Sequence, residues 1–102
     1  MPTATALQLI DERGFWCEVD GCNNLGQEAH HCLYRRDRHI KGLLEERYNL
    51  QLVCHECHAN GNADSYENKL SFWHKQCERY GKETMVTWHN KIPYKAKEKA
   101  YQ

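Results

Sequence analysis

The chain has 102 residues, 14 basic against 14 acidic side chains and 40% hydrophobic residues, with a mean hydropathy of −0.93. That length carries one domain with one modest core, and no apolar run approaches the length of a membrane span. Met1-Pro2-Thr3-Ala4 lacks the basic start and apolar stretch of a secretory signal, so a cytoplasmic protein is expected, with its six cysteines as metal ligands or buried thiols and not disulfides.

Residues 3–13 are predicted to form a short helix capped by Thr3 or Thr5, with Leu7 and Ile10 on one face and Gly14 as terminator. Phe15-Trp16 leads into Cys17, and Asp20-Gly21 makes a tight turn that brings Cys22 back toward it. Residues 27–33 are extended and carry the pair His30-His31. A basic loop over 34–48 is expected to hold a helical turn near Leu43-Leu44. Residues 49–53 alternate as a strand does and pair with 27–33 as a hairpin. A short helix begins at His55 and is broken early by Asn60-Gly61-Asn62.

Downstream, Asp64 followed by Glu67 reads as a capping box. Tyr66, Leu70, Trp73, Cys77 and Tyr80 then recur at helical steps, an apolar stripe ending at Gly81. A further helical piece over 83–89 turns Met85 and Trp88 inward, joined by Ile92, until Pro93 stops it.

Zero net charge conceals two basic segments. Residues 1–34 carry one Arg against five acids, and 48–68 carry three acids with no Lys or Arg. The loop 35–47 has five bases against three acids, and 69–102 has eight against three. Arg35, Arg36, Arg38 and Lys41, and the stretch from Lys91 to Lys99, are candidates for phosphate contact; ordinary solvated surface is the alternative.

Cys17 and Cys22 flank four residues, and Cys54 and Cys57 flank two. Two such pairs supply the four thiolates of one tetrahedral zinc. Cys32 and Cys77 are left over as small buried residues, Cys32 being an alternative ligand. His30, His31 and His58 lie beside this zinc without being needed by it. They are structural, or one replaces a cysteine at the zinc, or they form a second, chemical site. His55 is expected to face solvent or pack on the knuckle, His39 to be an exposed bystander or a phosphate contact, and His74 and His89 to lie on helix surfaces.

Arg13-Gly14-Phe15-Trp16-Cys17, Glu28-Ala29-His30-His31 and the run from Tyr48-Asn49 through Cys54-His55-Glu56-Cys57-His58 together resemble the zinc-containing branch of the HNH endonuclease family. The resemblance implies an α+β fold: a zinc-stapled ββα-metal domain with flanking helices, its motif core over 13–62 and a helical extension over 64–102. It implies a structural zinc on Cys17, Cys22, Cys54 and Cys57, and one catalytic divalent ion (Mg²⁺, Mn²⁺, Ni²⁺ or Zn²⁺) on His30 and His58. His31 matches the general base, a role that suits an imidazole near neutral pH, and Asn49 the residue that hydrogen-bonds across the hairpin loop to fix that base. His30, one residue away on a strand, points to the opposite face and cannot share the role.

The implied activity is hydrolysis of DNA phosphodiester bonds, nicking or cutting, to 5′-phosphate and 3′-hydroxyl ends. No helix carries a row of base-reading residues, so specificity is expected from DNA structure, dimerisation or a protein partner such as phage packaging or host DNA-processing machinery. A bacterial or phage-encoded enzyme is implied. The chain departs from the family pattern at Ala59-Asn60-Gly61-Asn62, poor helix sequence after His58, and in its lack of net positive charge. The rival readings are a zinc-stapled DNA- or protein-binding module without turnover, and a regulator that binds another nuclease through its acidic N-terminal half.

Overall fold

The computed structural model describes residues 2–40 and 42–93, with the Arg38 side chain left out. Lys41 and the lysines beyond Pro93 therefore lie outside the described residues. The Thr3 hydroxyl opens helix α1 (Ala4–Arg13) by accepting from the Ala6 N–H at 3.1 Å, and Gly14, at φ +90°, ends it. The buried face is Ala6 and Leu9 with Ile10 half-covered, whereas Leu7 is exposed. The expected face is thus rotated about the axis, because α1 seats on the small residue Ala6, packed with Leu50 and Leu52.

Strands β1 (Glu28–His31) and β2 (Leu50–Val53) form the predicted hairpin, antiparallel, pairing His30 with Gln51 and His31 with Leu50. Opposed residues share a face. Ala29, His31, Leu50 and Leu52 therefore lie on the side that α1 covers, and Glu28, His30, Gln51 and Val53 on the other. Gly26, just before β1, is dictated by space: a Cβ there would lie 2.3 Å from Leu52 Cγ. Gly26→Ala is expected to destabilise the fold by about 1–3 kcal/mol through overpacking. The urea midpoint should drop at unchanged slope; an unmoved midpoint would contradict the tight seat.

Helix α2 (His55–Ala59) follows β2 directly and stops at Asn60, as Asn60-Gly61 predicts. Helix α3 (Tyr66–Tyr80) is capped by Ser65, whose hydroxyl accepts from the Asn68 N–H at 3.0 Å; Asp64 is not the cap. Its fully buried face is Asn68, Phe72 and Gln76, with Trp73, Cys77 and Tyr80 packed partly covered and Tyr66 and Leu70 exposed. The predicted stripe is right in its C-terminal half and wrong at Tyr66 and Leu70. Two amides occupy the inner face because the hairpin and loop present polar groups there. Asn68 and Gln51 exchange hydrogen bonds of 2.8 and 3.0 Å, and Gln76 donates to the Arg47 and Tyr48 carbonyls.

Helix α4 (Lys82–Asn90) packs Met85 and Trp88, with Ile92, against Tyr34 and Leu44, as expected. The loop between the strands holds a 3₁₀ turn at Arg38–Ile40, and turns rather than a helix around Leu43-Leu44. Leu44 itself is fully buried and anchors that loop to α4. The result is a small α+β fold in which three modest apolar clusters replace one large core. No helix among the described residues is long and apolar enough to cross a membrane.

Candidate functional site

Two chain segments bring the four predicted cysteines together. The first returns on itself at Gly21, at φ +81°, with the Cys22 N–H donating to Val19 O at 3.0 Å and the Cys17 N–H to Asn24 O at 2.8 Å. It is laid on β2 by the Glu18 N–H, which donates to Leu52 O at 2.8 Å. The second runs from the end of β2 into α2, where Cys54 Sγ accepts from the Cys57 N–H at 3.3 Å.

The sulfurs of Cys17, Cys22, Cys54 and Cys57 all lie within 4.8 Å of one another, Cys22 and Cys54 at 3.8 Å. A tetrahedron with zinc–sulfur bonds of about 2.3 Å has edges of about 3.8 Å. The cluster can therefore bind a metal such as zinc. None of the six cysteines forms a disulfide. Burial pushes the Cys54 thiol up, but hydrogen bonds from the Cys57 backbone and from Asn24 outweigh it and bring it to about 7. Cys32 is buried away from the cluster and burial pushes its thiol up to about 12, which suits the expected core residue and not a ligand.

On the face of the hairpin that meets α2, His30 and His58 come edge to face with ring centroids 5.2 Å apart. His30 is buried, and its Nε2 lies 3.0 Å from the Ala63 carbonyl and 3.4 Å from Asp64 Oδ1. A carbonyl only accepts, so the neutral ring carries its proton on Nε2 and keeps a lone pair on Nδ1. Burial, the largest influence, holds the His30 pKa below its ordinary value and favours that neutral ring. His58 Nδ1 lies 2.7 Å from Glu28 Oε1, so a neutral His58 ring carries its lone pair on Nε2. Metal-bound histidines commonly donate their other ring N–H to a carboxylate or a carbonyl, and both rings have such an acceptor.

Glu28 also accepts from His55 Nδ1 at 2.9 Å. Hydrogen bonds from His55 and then His58 hold its carboxyl below the usual range, and the same contact raises the His55 pKa. His55 is solvent-facing, as predicted.

His31 lies on the opposite face, its Nε2 2.8 Å from Glu45 Oε2. Asn49 is fully buried and makes four hydrogen bonds across the loop. Its Oδ1 accepts from the Leu33 and Tyr34 N–H groups at 3.0 and 2.8 Å, and its Nδ2 donates to the Tyr34 and Leu44 carbonyls, both at 2.9 Å.

Of the basic candidates, Arg35 and Arg36 are exposed, and Arg36 Nε reaches Glu45 Oε1 at 3.9 Å. His39 is exposed too, and His74 lies on the exposed side of α3. His89 lies on a face of α4, partly buried, hydrogen-bonded to the Tyr34 hydroxyl and stacked on its ring.

Three acidic side chains outside the predicted set, Glu28, Glu45 and Asp64, partner the histidines. Glu28 had a usable signal, since it stands two residues before His30 on the same strand face. Glu45 and Asp64 had none, because each meets its histidine only through the path of a loop. Comparison with known proteins finds no family model, no curated protein and no solved structure that matches the chain.

Proposed function

We propose that the chain is a metal-dependent endonuclease of the HNH type, hydrolysing DNA phosphodiester bonds with His31 as the base. The observation that carries the reading is the arrangement of the three histidines. His30 and His58 lie together on one hairpin face, each with one ring nitrogen tied to an oxygen, and His31 stands apart on the other face. That division separates two tasks, ligation and proton transfer, which one imidazole cannot perform at once.

In this reading Cys17, Cys22, Cys54 and Cys57 hold a structural zinc that fixes the knuckle against the hairpin and α2. His30 and His58 would hold the second divalent ion, which when bound supplies charge neutralisation at the phosphate and the departing oxygen. His31 takes a proton from water as the water oxygen bonds to phosphorus. The bond from phosphorus to the 3′-oxygen breaks, and that oxygen is protonated by solvent, leaving 5′-phosphate and 3′-hydroxyl ends. Arg36, whose Nε lies 3.9 Å from Glu45 Oε1, and Arg35 supply exposed positive charge for the flanking phosphates. Arg38 and Lys41 belong to the same basic loop. The balanced net charge suits a weak DNA binder that takes its targeting from a protein partner, in a bacterial or phage cytoplasm.

The test is conversion of supercoiled plasmid to nicked or linear DNA by the zinc-loaded chain with Mg²⁺, Mn²⁺ or Ni²⁺ added. Metal-dependent cleavage is expected, lost in His58→Ala with zinc content unchanged. No cleavage under any of these ions would overturn the reading in favour of a binding module without turnover.

A further inference from the structure

We propose that Glu45 is the positioning residue of His31, fixing which ring nitrogen of that histidine accepts a proton. His31 Nε2 lies 2.8 Å from Glu45 Oε2. An ionised carboxylate only accepts, so the proton of the neutral ring resides on Nε2 and the lone pair on Nδ1. The inference deepens the nuclease reading and rests on it for its catalytic meaning.

Both partners are held by the same buried amide. Asn49 Oδ1 takes the N–H groups of Leu33 and Tyr34, immediately past His31-Cys32. Asn49 Nδ2 holds the carbonyl of Leu44, the residue before Glu45, and the Leu44 side chain is fully buried against Tyr34, Met85 and Trp88. Histidine and carboxylate are therefore registered on each other although 14 residues separate them. The second carboxylate oxygen, Oε1, faces Arg36 Nε at 3.9 Å.

The side chains of His31 and Glu45 are 21% and 41% exposed, so water screens their attraction and the pair adds little to stability. What it contributes is orientation. During hydrolysis the water proton goes to His31 Nδ1 while the Nε2–H stays on Glu45. The ring becomes an imidazolium facing an ionised carboxylate, and Glu45 takes no proton.

Two measurements on the zinc-loaded chain test this. Nitrogen-15 spectra of the neutral imidazole report the tautomer: His31 is expected as the Nε2–H form, and Glu45→Ala as a mixture. The Nδ1–H form in the wild type, or the same tautomer in Glu45→Ala, would overturn the proposal. In plasmid cleavage, Glu45→Ala is expected to lower kcat by about 10–100-fold, the range for residues that orient a reacting site, at unchanged KM and zinc content. Glu45→Gln adds an NH2 that can donate to Nε2 and favour the Nδ1–H form, so it should not restore the rate. Faster cleavage by Glu45→Ala, or a raised KM as its sole effect, would overturn it. A wild type that cleaves nothing yet shows the Glu45-dependent tautomer would sink the nuclease reading and leave the pairing standing. Undiminished cleavage by Glu45→Ala would do the reverse.

Discussion

Stripping a metal such as zinc, which the four-cysteine cluster can hold, is expected to unfold the domain, with Cys57→Ser doing nearly the same. Cys17, Cys54 and Cys57 are buried, and the cluster around them adds only Val53 and Ala63 as fully covered apolar partners. Without a metal, four sulfurs within 4.8 Å of one another crowd together with nothing to neutralise a thiolate, and burial pushes the thiols of Cys17 and Cys57 up. Structural zinc contributes about 10–16 kcal/mol in small zinc domains, against a total stability of about 5–15 kcal/mol for an ordinary domain. Its loss therefore exceeds what three small apolar clusters can hold. Circular dichroism melting should show a cooperative transition with zinc and none after chelation, restored by one equivalent of zinc. An unchanged melting midpoint in metal-free protein would mean that the cysteines are merely core residues.

Asn49→Ala is the second substitution with a large expected effect. Four hydrogen bonds of 2.8–3.0 Å disappear from a site with no solvent access, each taking the amide partner from the Leu33 and Tyr34 N–H groups and the Tyr34 and Leu44 carbonyls. Each unsatisfied buried group costs about 1–3 kcal/mol. Relaxation of the loop toward water recovers part of this, so a loss of about 3–5 kcal/mol is expected from urea unfolding. Asn49→Asp should fare no better, since its second oxygen would face the Tyr34 and Leu44 carbonyls in place of a donor. In both variants the His31 to Glu45 contact should loosen even where the fold survives. A change below about 1 kcal/mol in Asn49→Ala would show that the loop is held elsewhere, against the cost of four lost buried hydrogen bonds.

The hairpin and the cysteine pairs were legible because local chemistry specifies them. Alternation over residues 49–53 and the ligand spacing of Cys17, Cys22, Cys54 and Cys57 need no knowledge of distant chain. The inner face of α3 was not legible. Asn68 and Gln76 are polar by composition and buried only because Gln51 and the Arg47 and Tyr48 carbonyls await them. A search for apolar periodicity passes over amides and prefers Tyr66 and Leu70, which face solvent.

The helix start was displaced for a related reason. Asp64 and Ser65 are both competent caps, and the turn at Asn62–Asp64 decides for Ser65. His30, His31, His58 and Asn49 were named from a pattern of residue types, but two of the acidic partners, Glu45 and Asp64, were hidden. Glu45 reaches His31 only because Leu44 is buried, and Asp64 reaches His30 only because α2 ends at Ala59 and the chain turns back.

The most direct measurement is the rate of plasmid nicking by zinc-loaded wild type and His31→Ala, with zinc quantified in both and Mg²⁺, Mn²⁺ or Ni²⁺ supplied in turn. Cleavage by the wild type, reduced at least about 100-fold in His31→Ala at equal zinc content, is the predicted result, the scale set by loss of a general base. Equal cleavage by both proteins would remove His31 from the chemistry, and with it the division of labour assigned to the three histidines.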